Sequence, residues 1–258
     1  MKIGIFDSGI GGLSVLHRAM QKFGGVDFIY YADRKNVPYG EKTKEEILDF
    51  VDEIIRFFLK ENAGAVLMAC NTATSAAAKE MREKYDLPIL GMEPAVKKAV
   101  ELYRDKKILV AATPITVRGE KMNQLLEKVD KDHLVDLIAL PRLVSFAERG
   151  EFVSEAVEEY LKEMLGRYDL GEYSALVLGC THFNYFKDSF RRLMPQDMGF
   201  VDGNEGTLSH LGSRMNLPES LERTGRTRYY ISGKRLETEE ELAFIRDCLS
   251  RLDAMMEI

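Results

Sequence analysis

Residues 65–72 read Ala-Val-Leu-Met-Ala-Cys-Asn-Thr, and residues 175–182 read Ala-Leu-Val-Leu-Gly-Cys-Thr-His. Each stretch is an apolar run of strand length that ends in a cysteine and continues through polar residues into a helical pattern. The distance between them along the chain is roughly the length of one small domain. We therefore expect two similar α/β halves, each of which presents one cysteine.

The other apolar runs have the same character as these two. They are rich in Ile, Val, Leu and Tyr, and they are apolar on both faces, which is typical of parallel strands covered by helices on both sides. The expected strands are Lys2–Asp7, Asp27–Asp33, Gly64–Cys70, Lys107–Thr113, Leu134–Leu140, Ala175–Cys180 and Thr227–Ser232.

Amphipathic stretches with helical spacing alternate with these runs, so the pattern predicts crossover helices and an α/β fold. The expected helices are Lys42–Asn62, Thr72–Tyr85, Glu93–Asp105, Val117–Val129, Val153–Tyr168, Asn184–Leu193 and Glu237–Leu252.

Composition limits the classes of partner. The 258 residues include 36 Lys and Arg against 42 Asp and Glu, a formal net charge of −6. A nucleic-acid binder usually carries a basic face, so nucleic acid is not expected as a partner.

The longest apolar run is much shorter than the ~20 residues of a membrane-spanning helix, so no membrane segment is expected. Three scattered cysteines do not form a disulfide framework, which favours a reduced, cytoplasmic setting.

Polar side chains collect where the expected strands end. In open α/β sheets, ligands bind beyond the carboxyl ends of the strands. Helix capping accounts for Asp7 and Thr113, but cysteine is a poor capping residue. The positions of Cys70 and Cys180 therefore favour function, whereas Cys248 falls within the last helical pattern and is interpreted as part of the core.

The segment Gly9-Ile10-Gly11 follows a strand and precedes a helix, as in a dinucleotide-binding fingerprint. Ser14 replaces the third glycine, and Asp7 would face a pyrophosphate with the wrong charge. In that interpretation, Asp33 would be the acidic residue that binds the ribose hydroxyl. The alternative is that backbone amides at this helix N-terminus contact a small carboxylate.

Two matched thiols suit the inversion of a stereocentre. One thiolate removes a proton from one face of a carbon, and one thiol delivers a proton to the other face. Helix N-termini would lower the pKa of both thiols, and His182 can exchange a proton with Cys180. A metal site is not expected, because the four histidines are scattered. A cysteine protease, or an isomerase or decarboxylase that protonates one face, would leave one cysteine unexplained. A non-enzymatic binding protein stays open.

Four motifs together resemble the cofactor-independent glutamate racemases of the aspartate/glutamate racemase superfamily. They are DSGIGGLSVL at 7–16, YAD at 31–33 with VPYG at 37–40, ACNTAT at 69–74, and LGCTH at 178–182. The resemblance runs over most of the chain in the right order. It implies a cytoplasmic enzyme that needs no cofactor or metal and supplies D-glutamate for peptidoglycan synthesis. An aspartate-type racemase is the alternative, and a homodimer is one arrangement that the sequence leaves open.

The resemblance also implies roles for individual residues. Cys70 and Cys180 would be the two catalytic bases, with Asp7 assisting Cys70, and with His182 and Glu148 assisting Cys180. The residues that would hold glutamate are Ser8, Pro38, Tyr39, Gly40, Asn71, Thr72, Thr113, Thr116 and Thr181. Ile115, Phe183 and Asn184 depart from the family pattern, and the changes at Ile115 and Asn184 would reshape the wall of the pocket.

The family's architecture implies two α/β domains with mainly parallel sheets and the active site in the cleft between them. The first domain would comprise residues 1–93 and 205–258, and the second would comprise residues 94–204.

Overall fold

The computed structural model describes residues 1–92, 95–103 and 106–258. Its strands are β1 (Lys2–Asp7), β2 (Asp27–Ala32), β3 (Ala65–Met68), β4 (Ile89–Gly91), β5 (Lys107–Ala112), β6 (Val135–Ala139), β7 (Tyr173–Leu178), β8 (Gly199–Val201), β9 (Thr227–Ile231) and β10 (Lys234–Arg235). Its α-helices are α1 (Leu13–Lys22), α2 (Lys44–Lys60), α3 (Asn71–Lys84), α4 (Ala95–Leu102), α5 (Pro114–Arg118), α6 (Glu120–Val129), α7 (Pro141–Glu148), α8 (Glu155–Leu165), α9 (Lys187–Arg191), α10 (Asn204–Met215) and α11 (Glu239–Met255).

The strands form two sheets. The first has the order β10-β9-β2-β1-β3-β4, and the second has the order β6-β5-β7-β8. Every pairing is parallel except that of β9 with β10. The expected α/β fold with mainly parallel sheets is therefore confirmed.

Each sheet draws on a different part of the chain. The first contains β1 to β4 together with β9 and β10 from the C-terminal segment, and the second contains β5 to β8. The domain limits of 1–93 with 205–258, and of 94–204, stay a prediction. The junction at residues 93 and 94 lies outside the described residues, as do both ends of the helix expected at Glu93–Asp105.

Helix α2 illustrates why these residues form these elements. Thr43 and Glu46 form a capping box that satisfies amides of its first turn. Its apolar side chains recur at helical spacing, so that one stripe is buried against the sheet. The buried residues of α2 are Ile47, Val51, Ile54, Ile55 and Phe58.

Two expected helices are wrong in detail. The stretch expected at Val117–Val129 breaks at Gly119, which has an extended backbone (φ −73°, ψ 139°) and separates α5 from α6. The stretch expected at Asn184–Leu193 begins earlier, as a 3-10 helix over Thr181–Phe186, and α9 follows it. Periodicity alone did not locate these boundaries, because apolar spacing can continue across a turn or a 3-10 segment and does not mark where a helix ends.

The described residues contain no helix that is long and apolar enough to cross a membrane.

Candidate active site

Cys70 and Cys180 line the same small cavity, although they belong to different sheets. Cys70 lies between β3 and α3, and Cys180 lies between β7 and the 3-10 helix that follows it. Both cysteines are buried. The cavity has a volume of about 20 Å³, and its lining is Asp7, Ser8, Pro38, Tyr39, Gly40, Cys70, Asn71, Thr72, Thr113, Val144, Cys180, Thr181 and His182. The two-sheet topology therefore brings the carboxyl ends of β1, β3, β5 and β7 to one place.

Cys70 is itself the N-cap of α3. Its sulfur accepts a hydrogen bond from the N–H of Ala73 at 3.4 Å, a role that the sequence argued against. Burial raises the pKa of the Cys70 thiol well above its ordinary value, and the Asp7 carboxylate raises it further. The Ala73 N–H opposes this shift but is outweighed. The expected lowering of this pKa by the helix N-terminus is therefore wrong, because desolvation is the larger effect.

A polar chain connects Cys70 to Asp7. The thiol donates to the Ser8 hydroxyl at 3.7 Å, and that hydroxyl donates to Oδ1 of Asp7 at 3.5 Å. The carboxylate is fixed more tightly by the Ser8 N–H at 2.8 Å and by the Thr181 hydroxyl at 3.0 Å. Asp7 therefore contacts neighbours of both cysteines and not only the Cys70 side.

On the opposite side, Cys180 faces an imidazole. The sulfur lies 3.7 Å from Nδ1 of His182, while Nε2 of the same ring lies 2.7 Å from Oε1 of Glu148. The Gly11 N–H approaches Nε2 at 3.3 Å. A protonated Nε2 cannot also accept, and the shorter, charge-assisted contact to the carboxylate decides that it donates. Nδ1 is then the atom available to take the proton of Cys180.

The electrostatics favour a charged His182. Burial by itself would lower the pKa of the imidazole, but the contacts with Cys180 and Glu148 outweigh burial and raise this pKa well above its ordinary value. For Glu148, burial would raise the pKa, but the hydrogen bonds from His182 and Ile10 hold it below its usual range. The pair therefore supports a protonated imidazole beside an ionised carboxylate.

The glycine-rich segment makes room for this pair. A Cβ on Gly9 would overlap the Glu148 carboxylate, and a Cβ on Gly11 would overlap the His182 ring and the Thr181 hydroxyl. The Ile10 N–H donates to Oε1 of Glu148 at 2.7 Å. The backbone amide thus contacts a carboxylate, as the alternative to dinucleotide binding expected, but the carboxylate belongs to the protein itself.

Tyr39 and Gly40 close the cavity from the loop after β2. The Tyr39 hydroxyl donates to Oδ2 of Asp33 at 2.7 Å, and Asn36 donates to both oxygens of the same carboxylate. Asp33 is buried and holds this loop against the site, which differs from the ribose role weighed for it. A Cβ on Gly40 would lie 3.0 Å from Cβ of Thr113, so the loop packs closely on the second sheet.

Three hydroxyls connect the two halves beside the cavity. The Thr113 oxygen lies 3.1 Å from that of Thr72 and 3.0 Å from that of Thr116. Thr116 lines instead a neighbouring cavity of about 260 Å³, which shares Asn71 with the small one. Glu148 also lies behind the lining and reaches the site through His182. All other residues expected to act in catalysis or substrate binding line the cavity, whereas Ile115, Phe183 and Asn184 do not, so the expected reshaping of its wall by Ile115 and Asn184 is wrong.

Sequence reasoning missed Arg34 and Val144. Arg34 donates from Nε to Oε2 of Glu148 at 2.8 Å and from its guanidinium to the Glu148 backbone carbonyl. Its position directly after a strand end, next to Asp33, was the available signal. Val144 lies on α7, an element that the apolar pattern did not reveal. Among the described residues, no group of three or more His, Cys, Asp or Glu side chains could hold a metal ion.

Comparison with known proteins agrees with this geometry. The family model for Asp/Glu/Hydantoin racemases matches residues 10–210. The chain is 52% identical to a glutamate racemase of Campylobacter curvus (strain 525.92) and 49% identical to one of Lachnospira eligens, in both cases over 100% of each chain. The crystal structure of glutamate racemase from Campylobacter jejuni subsp. jejuni is similar with a TM-score of 0.79 and 27% identity, covering 98% of both chains. The chain therefore belongs to the Asp/Glu/Hydantoin racemase family, and within that family to the glutamate racemases.

Proposed function

We propose that this chain interconverts L- and D-glutamate by a two-base mechanism, with Cys180 and Cys70 acting on opposite faces of Cα. The observation that carries the proposal is that two buried cysteines, from the ends of strands in different sheets, line one small cavity. A single-sided proton transfer would need only one of them.

In the L-to-D direction, the Cys180 thiolate takes the Cα proton of L-glutamate, and the Cys70 thiol gives its proton to the opposite face. The C–H electron pair stays on Cα until the second C–H bond forms. The enzyme is left with a Cys180 thiol and a Cys70 thiolate, which is the form that accepts D-glutamate. The reverse reaction restores the starting state, so no cofactor enters the proton balance.

The surroundings of the two sulfurs fit this division. The raised pKa of Cys70 keeps it a thiol, ready to donate. Nδ1 of His182 lies 3.7 Å from the Cys180 sulfur and is placed to take its proton, which would leave a thiolate beside an imidazolium. Glu148 assists through Nε2, and Ser8 relays the influence of Asp7 to Cys70. A thiol at Cys70 is the proton donor that the L-to-D direction requires.

We assign the polar lining to the substrate. A glutamate molecule presents two carboxylates and an ammonium, so hydroxyls, amides and helix N-terminal N–H groups are suitable partners. The residues proposed to hold it are Ser8, Pro38, Tyr39, Gly40, Asn71, Thr72, Thr113, Thr116 and Thr181. Thr116 would contribute through Thr113, since it lies beside the neighbouring cavity.

Incubation with L-glutamate in deuterated water tests the proposal. We expect deuterium at Cα, monitored by the loss of the Cα proton signal in NMR, together with D-glutamate, monitored by circular dichroism. A binding protein would give neither signal, and an enzyme that protonates one face would exchange deuterium without inversion. Aspartate, run in parallel, separates a glutamate enzyme from an aspartate enzyme.

The proposed role is the supply of D-glutamate for peptidoglycan synthesis in the bacterial cytoplasm. Expression of the chain in a bacterium that requires external D-glutamate for growth tests this role. Growth without the supplement supports it, and growth must fail with Cys70→Ser. A homodimer is a further proposal, which light scattering after size-exclusion chromatography, with and without glutamate, tests directly.

A further inference from the structure

Arg34 makes an unusual double contact with Glu148. Its Nε donates to Oε2 of the carboxylate at 2.8 Å, and its guanidinium donates to the backbone carbonyl of the same residue. Glu148 is the last residue of α7, where carbonyl groups lack a partner within the helix. One side chain from the turn after β2 therefore contacts both the last backbone carbonyl of α7 and the carboxylate of the same residue, Glu148.

The two carboxylate oxygens of Glu148 accept hydrogen bonds from different donors. Oε2 receives Arg34, while Oε1 receives His182 and the Ile10 N–H. The guanidinium has a further contact, because its Cζ lies 5.0 Å from the centre of the Phe244 ring on α11. A planar guanidinium with two hydrogen bonds to Glu148 restricts rotation of that carboxylate. A lysine ammonium would restrict this rotation less, because it lacks the planar arrangement of donors.

We propose that Arg34 is a positioning residue for the L-specific half of the reaction: by clamping the side chain and backbone of Glu148, it holds Oε1 against His182 and thereby orients the imidazole beside Cys180. This inference rests on the proposed two-base function. Arg34 is not in the cavity lining, and it acts on the chemistry through Glu148 and His182.

The geometry makes the effect one-sided. Cys70 is connected to Asp7 through the Ser8 hydroxyl, and neither Arg34 nor Glu148 takes part in these hydrogen bonds. Loss of Arg34 should therefore weaken proton removal from L-glutamate and spare proton removal from D-glutamate. The equilibrium constant between enantiomers is unity, so kcat/KM for the full reaction must fall equally in both directions. The asymmetry must be measured with a one-sided reaction.

A glutamate analogue with chlorine on Cβ provides that reaction. Once a cysteine has removed the Cα proton, the C–Cl bond breaks and chloride leaves with its electron pair. The resulting enamine hydrolyses to 2-oxoglutarate and ammonia. The initial rate of 2-oxoglutarate formation from the L isomer then reports Cys180, and the initial rate from the D isomer reports Cys70.

We expect Arg34→Met to slow elimination from the L isomer by roughly 10- to 100-fold, the range of a charge-assisted hydrogen bond, and to leave the D isomer within about twofold. Arg34→Lys and Arg34→Gln should give losses of the same sign, the lysine variant the smaller. If Arg34 acts through Glu148, the double variant of Arg34→Met with Glu148→Gln should be no slower than Glu148→Gln alone.

The pH profile gives a readout that a merely structural role would not change. The positive charge of Arg34 contributes to the lowered pKa of Glu148, so Arg34→Met should move the acid limb of L elimination to higher pH. The other groups that face Glu148 are His182, Tyr30, Tyr185 and Cys248, with Asp7 beyond His182. Burial raises the pKa of both tyrosines, and that of Cys248 to about 12, so these three stay neutral over the assay range.

Arg246 is a matched control. It donates to the carboxylate and to the backbone carbonyl of Glu239, the same double contact, but the side chains are 52% and 88% exposed. Arg246→Met should leave both eliminations unchanged.

Equal losses on the L and D isomers, no loss at all, or an additive double variant would overturn the role of Arg34. If Arg34→Met does not fold, the lysine and glutamine variants decide by the same criteria. If the unmodified protein itself eliminates from neither isomer, the two-base function has failed, and that outcome is distinct from a failure of this inference.

Discussion

The sulfur of Cys180 lies 3.7 Å from Nδ1 of His182, and the opposite nitrogen of that ring contacts Glu148. Within residues 1–92, 95–103 and 106–258, no imidazole takes the equivalent position beside Cys70; its sulfur contacts the Ser8 hydroxyl and the Ala73 N–H instead. The two halves of the fold are similar, but the two proposed bases are thus supported by different chemistry. Comparing the rates of proton removal from L- and D-glutamate analogues therefore tests the neighbours of each cysteine separately.

Each cysteine should be required for racemisation. Cys70→Ser and Cys180→Ser should each reduce kcat by roughly 10²- to 10⁴-fold, since serine is a far weaker acid and base near neutral pH. With the chlorinated analogue, Cys180→Ser should retain elimination from the D isomer and Cys70→Ser from the L isomer. Cys248→Ser is the control, because this thiol is buried outside the cavity and should not be needed. Unmodified racemisation in either catalytic variant would defeat the two-base assignment.

The charged pair of His182 and Glu148 should make stability depend on pH. The folded-state pKa of His182 is raised, so its contribution is complete below the unfolded value of about 6.5 and is lost as pH rises through the folded value. The folded-state pKa of Glu148 is lowered, so its contribution is present above about 4.3 and is lost in acid. His182→Asn should therefore lower the free energy of unfolding most between about pH 5 and 6.5, by roughly 1–3 kcal/mol.

Urea titrations at several pH values measure this dependence. The difference between the unmodified protein and His182→Asn should shrink as pH rises above about 6.5. His133→Asn is the control, because His133 is exposed and has a positive φ of 54° that asparagine tolerates. A difference that stays constant with pH would contradict a charged pair.

The close approach at Gly11 should be essential for activity. In Gly11→Ala, the new methyl group would displace His182 and Thr181, and we expect kcat to fall by about tenfold or more, because small misplacements of catalytic groups are costly. Gly25→Ala is the matched control, since a Cβ there lies 3.7 Å from its nearest neighbour, Thr224. Steady-state kinetics of both variants, with melting temperatures alongside, check the expectation. Equal kinetics for the two variants would show that the contact at Gly11 is not needed.

Tyr39 should matter for substrate binding through its contact with Asp33. Tyr39→Phe removes a buried hydrogen bond, which should cost about 1–2 kcal/mol of stability and loosen the loop that closes the cavity. We expect the KM for glutamate to rise by about tenfold. Tyr85→Phe removes a comparable hydrogen bond to Asp52 away from the site and should leave KM unchanged. The same KM change in both variants would indicate a general loss of stability.

Sequence periodicity predicted most of the central strands to within one or two residues, since buried parallel strands are apolar throughout and their ends are polar. It did not reveal β4, β8, β10, α7 and α10. Two of these are three-residue strands, and α7 begins at a proline. The missed strands are too short to carry a recognisable period. Helix α10 has 12 residues, but half of its four buried residues, Asn204 and Thr207, are polar, so its apolar pattern is weak.

The sequence by itself determined the fold class, the family and the two cysteines at matching strand ends, because strand patterns and local motifs are properties of neighbouring residues. Only the tertiary structure decided which side chains support each cysteine. Arg34, Glu148 and His182 are far apart in the chain and meet because the turn after β2, the end of α7 and the 3-10 helix after β7 pack together. The pKa of Cys70 likewise depends on tertiary packing. A helix N-terminus, which the sequence shows, lowers it, but burial beside Asp7, which only packing creates, has the larger effect and raises it.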